Sequence, residues 1–237
     1  NTFNALGYLM GALITPRILG QWGAVRVLLG GALLASLLML ATGFFSETSI
    51  LLIQRLLAGM ASAAVFVSGG LLAARLGAHL PAQSGLLLGI YYGGTGLGIS
   101  LSAVLVPVAM DLATQDGQLH VWAWAWWALG LACFAMTVLL FFIRRSMLQF
   151  MPEVNASTSI DLQAEKRVRK MHWPEWTFGL TAYGLFGVGY IGYMTFVVAV
   201  LRQQGADASQ ITFFYAMLGL AVLASSRVWA NLLNRYQ

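Results

Sequence analysis

One arginine stands inside an apolar run. Arg55 follows Ile50-Leu51-Leu52-Ile53-Gln54 and precedes Leu56-Leu57-Ala58-Gly59. Its guanidinium must reach protein, water or a headgroup, because a charge at the bilayer centre costs about 2.5–3.5 kcal/mol or more. Two roles fit it: lining an aqueous cavity, where it draws an anionic substrate or pairs with a carboxylate, or snorkelling to the headgroups and bracing its neighbours. The other polar groups in apolar surroundings are tyrosine hydroxyls, at Tyr91, Tyr92, Tyr183, Tyr190 and Tyr193. Tyr183 and Tyr190 lie seven apart on one helix face, which Tyr193 roughly joins. They read either as lining of a solute pathway or as ordinary aromatic packing with one hydrogen bond each.

Other chemistry is missing. No Asp, Glu, His or Lys lies inside a span, which leaves no obvious buried proton relay and no lysine for a retinal Schiff base. Paired catalytic carboxylates, an HExxH zinc motif and a GxxxxGK[ST] phosphate loop do not occur. Ser62, Ser68, Ser100 and Ser102 fall in spans with no embedded histidine or lysine to activate them. No catalytic residue is assigned, and the chain is expected not to be an enzyme. The lone Cys133 excludes an intramolecular disulfide or a CxxC site. His79, His120 and His172 are single loop or boundary residues, so no metal and no cofactor are expected.

The composition says what must hold these groups. Of 237 residues 59% are apolar and 9% charged, with mean hydropathy +0.76, whereas a soluble domain carries about 25% charged residues. The chain reads as an all-α multi-pass membrane protein, with lipid as its surroundings. The net charge of +5 is spread between apolar runs and does not form one face, so nucleic acid is not a partner. Strands are excluded because the runs do not alternate polar with apolar.

Roughly 20 apolar residues cross the hydrocarbon as a helix. Seven runs qualify, at 3–19, 25–45, 50–74, 85–110, 121–143, 176–201 and 211–229. The polar stretch 144–174 separates five of them from two and reads as an inter-lobe linker, so 1–143 is an incomplete first lobe and 175–237 the start of a second. Eleven Lys/Arg (Arg17, Arg26, Arg75, six linker bases, Arg227, Arg235) fall on one side of the spans. The other side carries Arg202 beside Glu47, Asp111, Asp116 and Asp207, so the first side is cytoplasmic. Trp122, Trp124, Trp126 and Trp127 read as an outer aromatic belt, or as a ligand cage.

The fourth run is the most patterned. Gly85, Gly89 and Gly93 recur every four residues, and Gly94, Gly96 and Gly98 follow. The first three share a face where another backbone can approach closely. That face serves either static packing or a contact that also slides or bends. Gly184, Gly187 and Gly189 extend the theme in the sixth run.

This arrangement resembles the major facilitator superfamily, and within it the bacterial YbfB/YjiJ-type group. The five-plus-two count corresponds to helices two to eight, so the chain reads as a central fragment with seven of an expected twelve transmembrane helices. The loop motif GxxxDRxGRRxxL between helices two and three is matched by Gly23 and by Arg26 at the last basic position. Pro16 stands at its first glycine, Gly20 at its aspartate and Gln21 at its arginine. Its counterpart after helix eight has Asn234 where aspartate is common and Arg235 at the base. Arg55 with Gly59 resembles the RxxxG part of the helix-four motif, whose arginine is implicated in substrate or proton coupling. The series 89–98 is similar to the helix-five motif GxxxGPxxGG of antiporters, with Gly94 in place of proline. Residues 182–191 resemble the start of that group's second lobe. The resemblance implies a secondary transporter of a bacterial cytoplasmic (inner) membrane that moves a small-molecule substrate by alternating access. It also implies protons as coupling ion, efflux, and a monomer when complete. A seven-span receptor or signalling protein and a non-transporting scaffold or assembly subunit are the alternatives from other classes.

Overall fold

The computed structural model describes residues 2–80, 83–150 and 173–236, with side chains at 2–80, 83–148, 177–225 and 228. The described residues form helices joined by short loops and contain no strand. The helices are α1 (Thr2–Trp22), α2 (Ala24–Thr42), α3 (Thr48–His79), α4 (Ser84–Gln115), α5 (Val121–Phe150), α6 (Trp173–Gln203) and α7 (Ala208–Tyr236).

Six of them, α2 to α7, are long and apolar enough to cross a membrane. The first run, expected as a seventh span, does not qualify by hydropathy, because Asn4, Thr15, Pro16 and three glycines dilute α1. Several helices overshoot the apolar runs. At 32 residues α3 is about 48 Å long, against a hydrocarbon core of about 30 Å, so it is longer than a crossing requires. Likewise α5 continues through Arg144 and Arg145 to Phe150, seven residues into the stretch expected as linker, while 151–172 lie outside the described residues.

Short loops close with defined backbone chemistry. α1 and α2 are separated by Gly23 alone, at φ 78° and ψ 158°, a conformation essentially closed to residues with a Cβ. After α4 and α6 the chain turns through Gly117 and Gly205, both at positive φ. In each turn two amides return to the last carbonyls, Gly117 to Thr114 and Gln118 to Ala113, and Gly205 to Arg202 and Ala206 to Leu201. Asp207 then starts α7. Its Oδ1 accepts from the Gln210 amide and the Ser209 hydroxyl, both at 2.8 Å, while Gln210 Oε1 accepts from the Asp207 amide at 3.1 Å.

The chain divides into two compact units, Asn1–Glu153 with Tyr215–Gln237, and Val154–Phe214. In the first, α3 contacts α1, α2 and α4, while α5 contacts α2 and α4. Large side chains point outward and small ones inward. Leu13, Phe44, Ile53 and Phe142 are exposed, whereas the largest fully buried side chains are Thr15, Ser36 and Ser68. This inversion suits lipid, which covers leucine as well as protein does and leaves small residues to set how closely helices approach. The three buried hydroxyls donate to carbonyls of their own helices, at Gly11, Leu33 and Ala64, so none is left unpaired.

The cap on α7 makes a pH prediction. Hydrogen bonds from the Gln210 amide and the Ser209 hydroxyl hold the Asp207 carboxyl below its usual range. A depressed folded value means the cap stabilises above the ordinary aspartate range and is lost as pH falls through the lower folded value. In an NMR acid titration of the protein in micelles, the Gln210 amide should move with a midpoint below that of free aspartate. A midpoint at or above the free value would contradict the cap.

Candidate functional site

The candidate groups gather along α3. Residues 55 and 66 are eleven apart, three turns plus about 20°, so Arg55 and Phe66 share a face and lie about 16 Å apart along the axis. Ser62, exposed, stands between them.

In the third turn of α3, Arg55 is half-buried and tied to two other helices. Its Nη2 donates to Thr42 Oγ1 of α2 at 3.2 Å, and its guanidinium carbon lies 4.0 Å from the centroid of the Trp126 ring of α5. Thr42 in turn donates to the Leu38 carbonyl, which fixes its oxygen to accept from Arg55. Among the described residues no carboxylate pairs with Arg55. A cation held by a π face and one hydroxyl braces α2, α3 and α5, and keeps unused N–H donors. The neighbouring tryptophans pack between helices more than a simple belt would require. Trp127 lies against Gly43 and 5.1 Å from Phe44, and Trp124 meets it edge-on at 5.8 Å. Two buried polar atoms nearby, Gln54 Oε1 and Trp127 Nε1, have no partner among the described residues. An apolar cavity of about 610 Å³ opens between α2, α4 and α5, with Leu40, Leu105, Leu112 and Trp124 in its wall.

Further along α3, Tyr91 of α4 lies across Gly69 and Gly70, and its hydroxyl donates to the Phe66 carbonyl at 2.5 Å. Tyr8, Phe66, Tyr91 and Tyr92 form one group of rings from α1, α3 and α4, with neighbouring centroids 5.1–6.4 Å apart. Tyr91 and Tyr92 of α4 therefore sit together, and they meet α3 at Phe66, three turns from Arg55. Phe66 completes the group without being singled out in the sequence, whereas Gly69 and Gly70, which leave the backbone bare under Tyr91, belong to the glycine pattern the sequence shows in the third run. The signal for Phe66 was a pair of adjacent glycines three residues after an aromatic in α3.

The glycines divide by position. Gly59 meets α1, where a Cβ would run into the Asn4 carbonyl, and α1 answers with Gly7 against Leu56 and Gly11 against Met60. This Gly7–Gly11 pair, spaced by four like the α4 series, is a signal present in the sequence. In α4, Gly93 and Gly96 are buried, Gly85 and Gly89 half-buried, and Gly94 and Gly98 exposed with open space around them. A close approach falls at Gly96, whose absent side chain leaves room for the Gly219 carbonyl of α7, and a Cβ on Gly219 would in turn run into Ser100 Oγ and the Gly96 carbonyl. Ser100 Oγ donates to the Ala216 carbonyl at 2.9 Å beside it.

The α6 group belongs to the second unit. Tyr183 and Tyr190 bracket Phe186, at 6.3 Å and 5.9 Å, the latter pair nearly parallel at 18°. Both tyrosines and Tyr193 are exposed, and Gly184, Gly187 and Gly189 have open space around them. Of the loop positions, Gly23 makes the turn described above and Arg26 is exposed on the first turn of α2. The side chains of Asn234 and Arg235 lie outside the described residues. Among the described residues no three His, Cys, Asp or Glu side chains converge on a metal position.

A protein-family profile described as "Uncharacterised MFS-type transporter YbfB" matches residues 1–237. No curated protein and no solved structure matches the chain.

The bracing of Arg55 is measurable as a coupling. In a double-mutant cycle of Arg55→Gln and Trp126→Leu, read by denaturation of the full-length protein in detergent, the two changes should couple by about 1 kcal/mol. Additive effects would show that the stacked contact contributes nothing.

Proposed function

Since the chain belongs to the YbfB-type family of major facilitator superfamily transporters, and is thus a multi-pass membrane transporter of small molecules, we propose that it works by alternating access. Residues 1–143 form most of one lobe, α6 and α7 open the second, and 144–174 join them on the cytoplasmic side. The lobes rock about a site near the membrane midplane. The observation that carries this reading is the crossing of α4 and α7 at Gly96 and Gly219, where two backbones touch without side chains between them. Such a contact has no interlocked side chains to disengage, so one helix can tilt on the other at low energy. The Ser100 hydroxyl on the Ala216 carbonyl keeps the crossing in register.

Arg55, Tyr91 and Tyr92 line the pathway from the first lobe, and Tyr183, Tyr190 and Tyr193 from the second. Gly59, Gly85, Gly89, Gly93, Gly94, Gly98, Gly184, Gly187 and Gly189 supply packing and bending around them. Gly23, Arg26, Asn234 and Arg235 form the two loop motifs on the cytoplasmic side. The protein is a monomer of a bacterial cytoplasmic membrane and couples solute export to protons. The family resemblance and the one-sided distribution of Lys and Arg support that placement.

Full-length protein in proteoliposomes with trapped pyranine should show proton flux on addition of particular members of a panel of organic solutes. Gly96→Ala should reduce that flux at least severalfold, because its methyl meets the Gly219 carbonyl, and Gly94→Ala, with open space around it, should not. Equal flux in both variants would remove the α4–α7 crossing from the mechanism.

A further inference from the structure

The rings on the inner half of α3 carry more than helix packing requires. Tyr91 alone would join α4 to α3, since its ring covers Gly69 and Gly70 and its hydroxyl is committed to the Phe66 carbonyl. Tyr92, Phe66 and Tyr8 add three further rings from three helices, and they stay open, at 50%, 37% and 36% exposure. Phe66 is the centre, with Tyr8, Tyr91 and Tyr92 at 6.4, 5.8 and 5.9 Å and tilted to it by 58°, 48° and 55°. Tyr91 and Tyr92 meet edge to face at 67°. Rings tilted in this way cover one another only in part, so the faces and edges of Tyr92, Phe66 and Tyr8 keep the exposed area given above.

From this geometry we propose that Tyr8, Phe66 and Tyr92 form a stacking subsite for a planar aromatic solute, with Tyr91 as the positioning residue that sets Phe66 and Tyr92. The proposal rests on the transport reading for its purpose, because a stacked solute is the cargo. Aromatic faces and edges discriminate by quadrupole: a planar ring gains face and edge contacts that an aliphatic solute of the same size does not. The subsite asks for no charge on the solute. Arg55, the cation on the same face of α3, is about 16 Å away along the axis, beyond the reach of a one- or two-ring molecule. The Tyr92 hydroxyl offers a donor or acceptor to a phenol-like group.

The test is equilibrium binding of 1-naphthol to full-length protein in lipid nanodiscs, with empty nanodiscs as the partition control and decahydro-1-naphthol as the saturated analogue. Saturable binding of 1-naphthol, at least tenfold tighter than its saturated analogue, is expected. Tyr92→Leu and Phe66→Leu should each weaken it about tenfold, whereas Tyr92→Phe, which keeps the ring, should bind within about threefold of the natural protein. Tyr92 is an exposed ring, so its leucine variant gives a reading even if Phe66→Leu fails to fold. Partition equal to that of empty discs, equal affinity for the saturated analogue, or unchanged affinity in Tyr92→Leu would overturn the subsite. Binding requires no turnover, so ring-dependent binding without any solute-driven flux overturns the transport reading and leaves the subsite standing. Flux of solutes with no preference for planar rings does the reverse.

Discussion

Helices in hydrocarbon gain little by hiding apolar side chains from one another, because lipid tails receive those side chains equally well. What holds this bundle together is therefore how closely backbones can approach, and glycine decides that. Along the α1–α3 contact, Gly7, Gly11 and Gly59 each face main-chain atoms of the opposite helix. Gly130 does the same for α5 on α2 at Leu40, and Gly96 with Gly219 for α4 on α7. Any side chain at these positions would separate the helices, and the polar contacts that depend on their spacing would lengthen with them.

The functional groups follow from that spacing. Arg55 reaches Thr42 and Trp126 because α2 and α5 lie close enough to α3 for a single side chain to bridge both. Tyr91 reaches the Phe66 carbonyl because Gly69 and Gly70 leave the surface of α3 bare beneath its ring. One face of α3 thus carries a braced cation near its N-terminal end, an exposed serine at Ser62, and a group of exposed rings further along. A wall of this kind has chemistry along its length without any buried carboxylate in the described helices.

Much of this was readable in the residues. Composition and run length gave an all-helical membrane protein, and degenerate motifs led to the family that the whole chain matches. Arg55 stood out because a charge in an apolar run must be explained. What the sequence could not supply was the partner of each small residue. The spacing of Gly85, Gly89 and Gly93 suggested their face as the close contact of α4, and Gly96, where α7 crosses, is a close approach that this spacing does not reach. Trp126 looked like a belt residue, since nothing local distinguishes a ring facing headgroups from one facing a guanidinium on another helix. The Gly7–Gly11 pair obeys the same spacing rule as the α4 series, and its partners Leu56 and Met60 lie on another helix, where spacing alone does not reach. Run length alone places α1 among the spans, whereas its mean hydropathy is lowered by the polar residues and glycines, two of which, Gly7 and Gly11, it uses against α3.

The central claim is that the Arg55–Ser62–Phe66 face of α3 lines a pathway open to water from alternate sides. The direct measurement is the reactivity of Ser62→Cys, in a protein whose Cys133 is replaced by alanine, toward a membrane-impermeant maleimide applied to right-side-out and to inside-out vesicles. Alternating access predicts labelling from each side, with the balance between sides shifting when a pH gradient is imposed. Labelling from neither side would place this face against lipid or protein. Labelling from one side only, under every condition, would mean a fixed cleft, and either result would contradict the account.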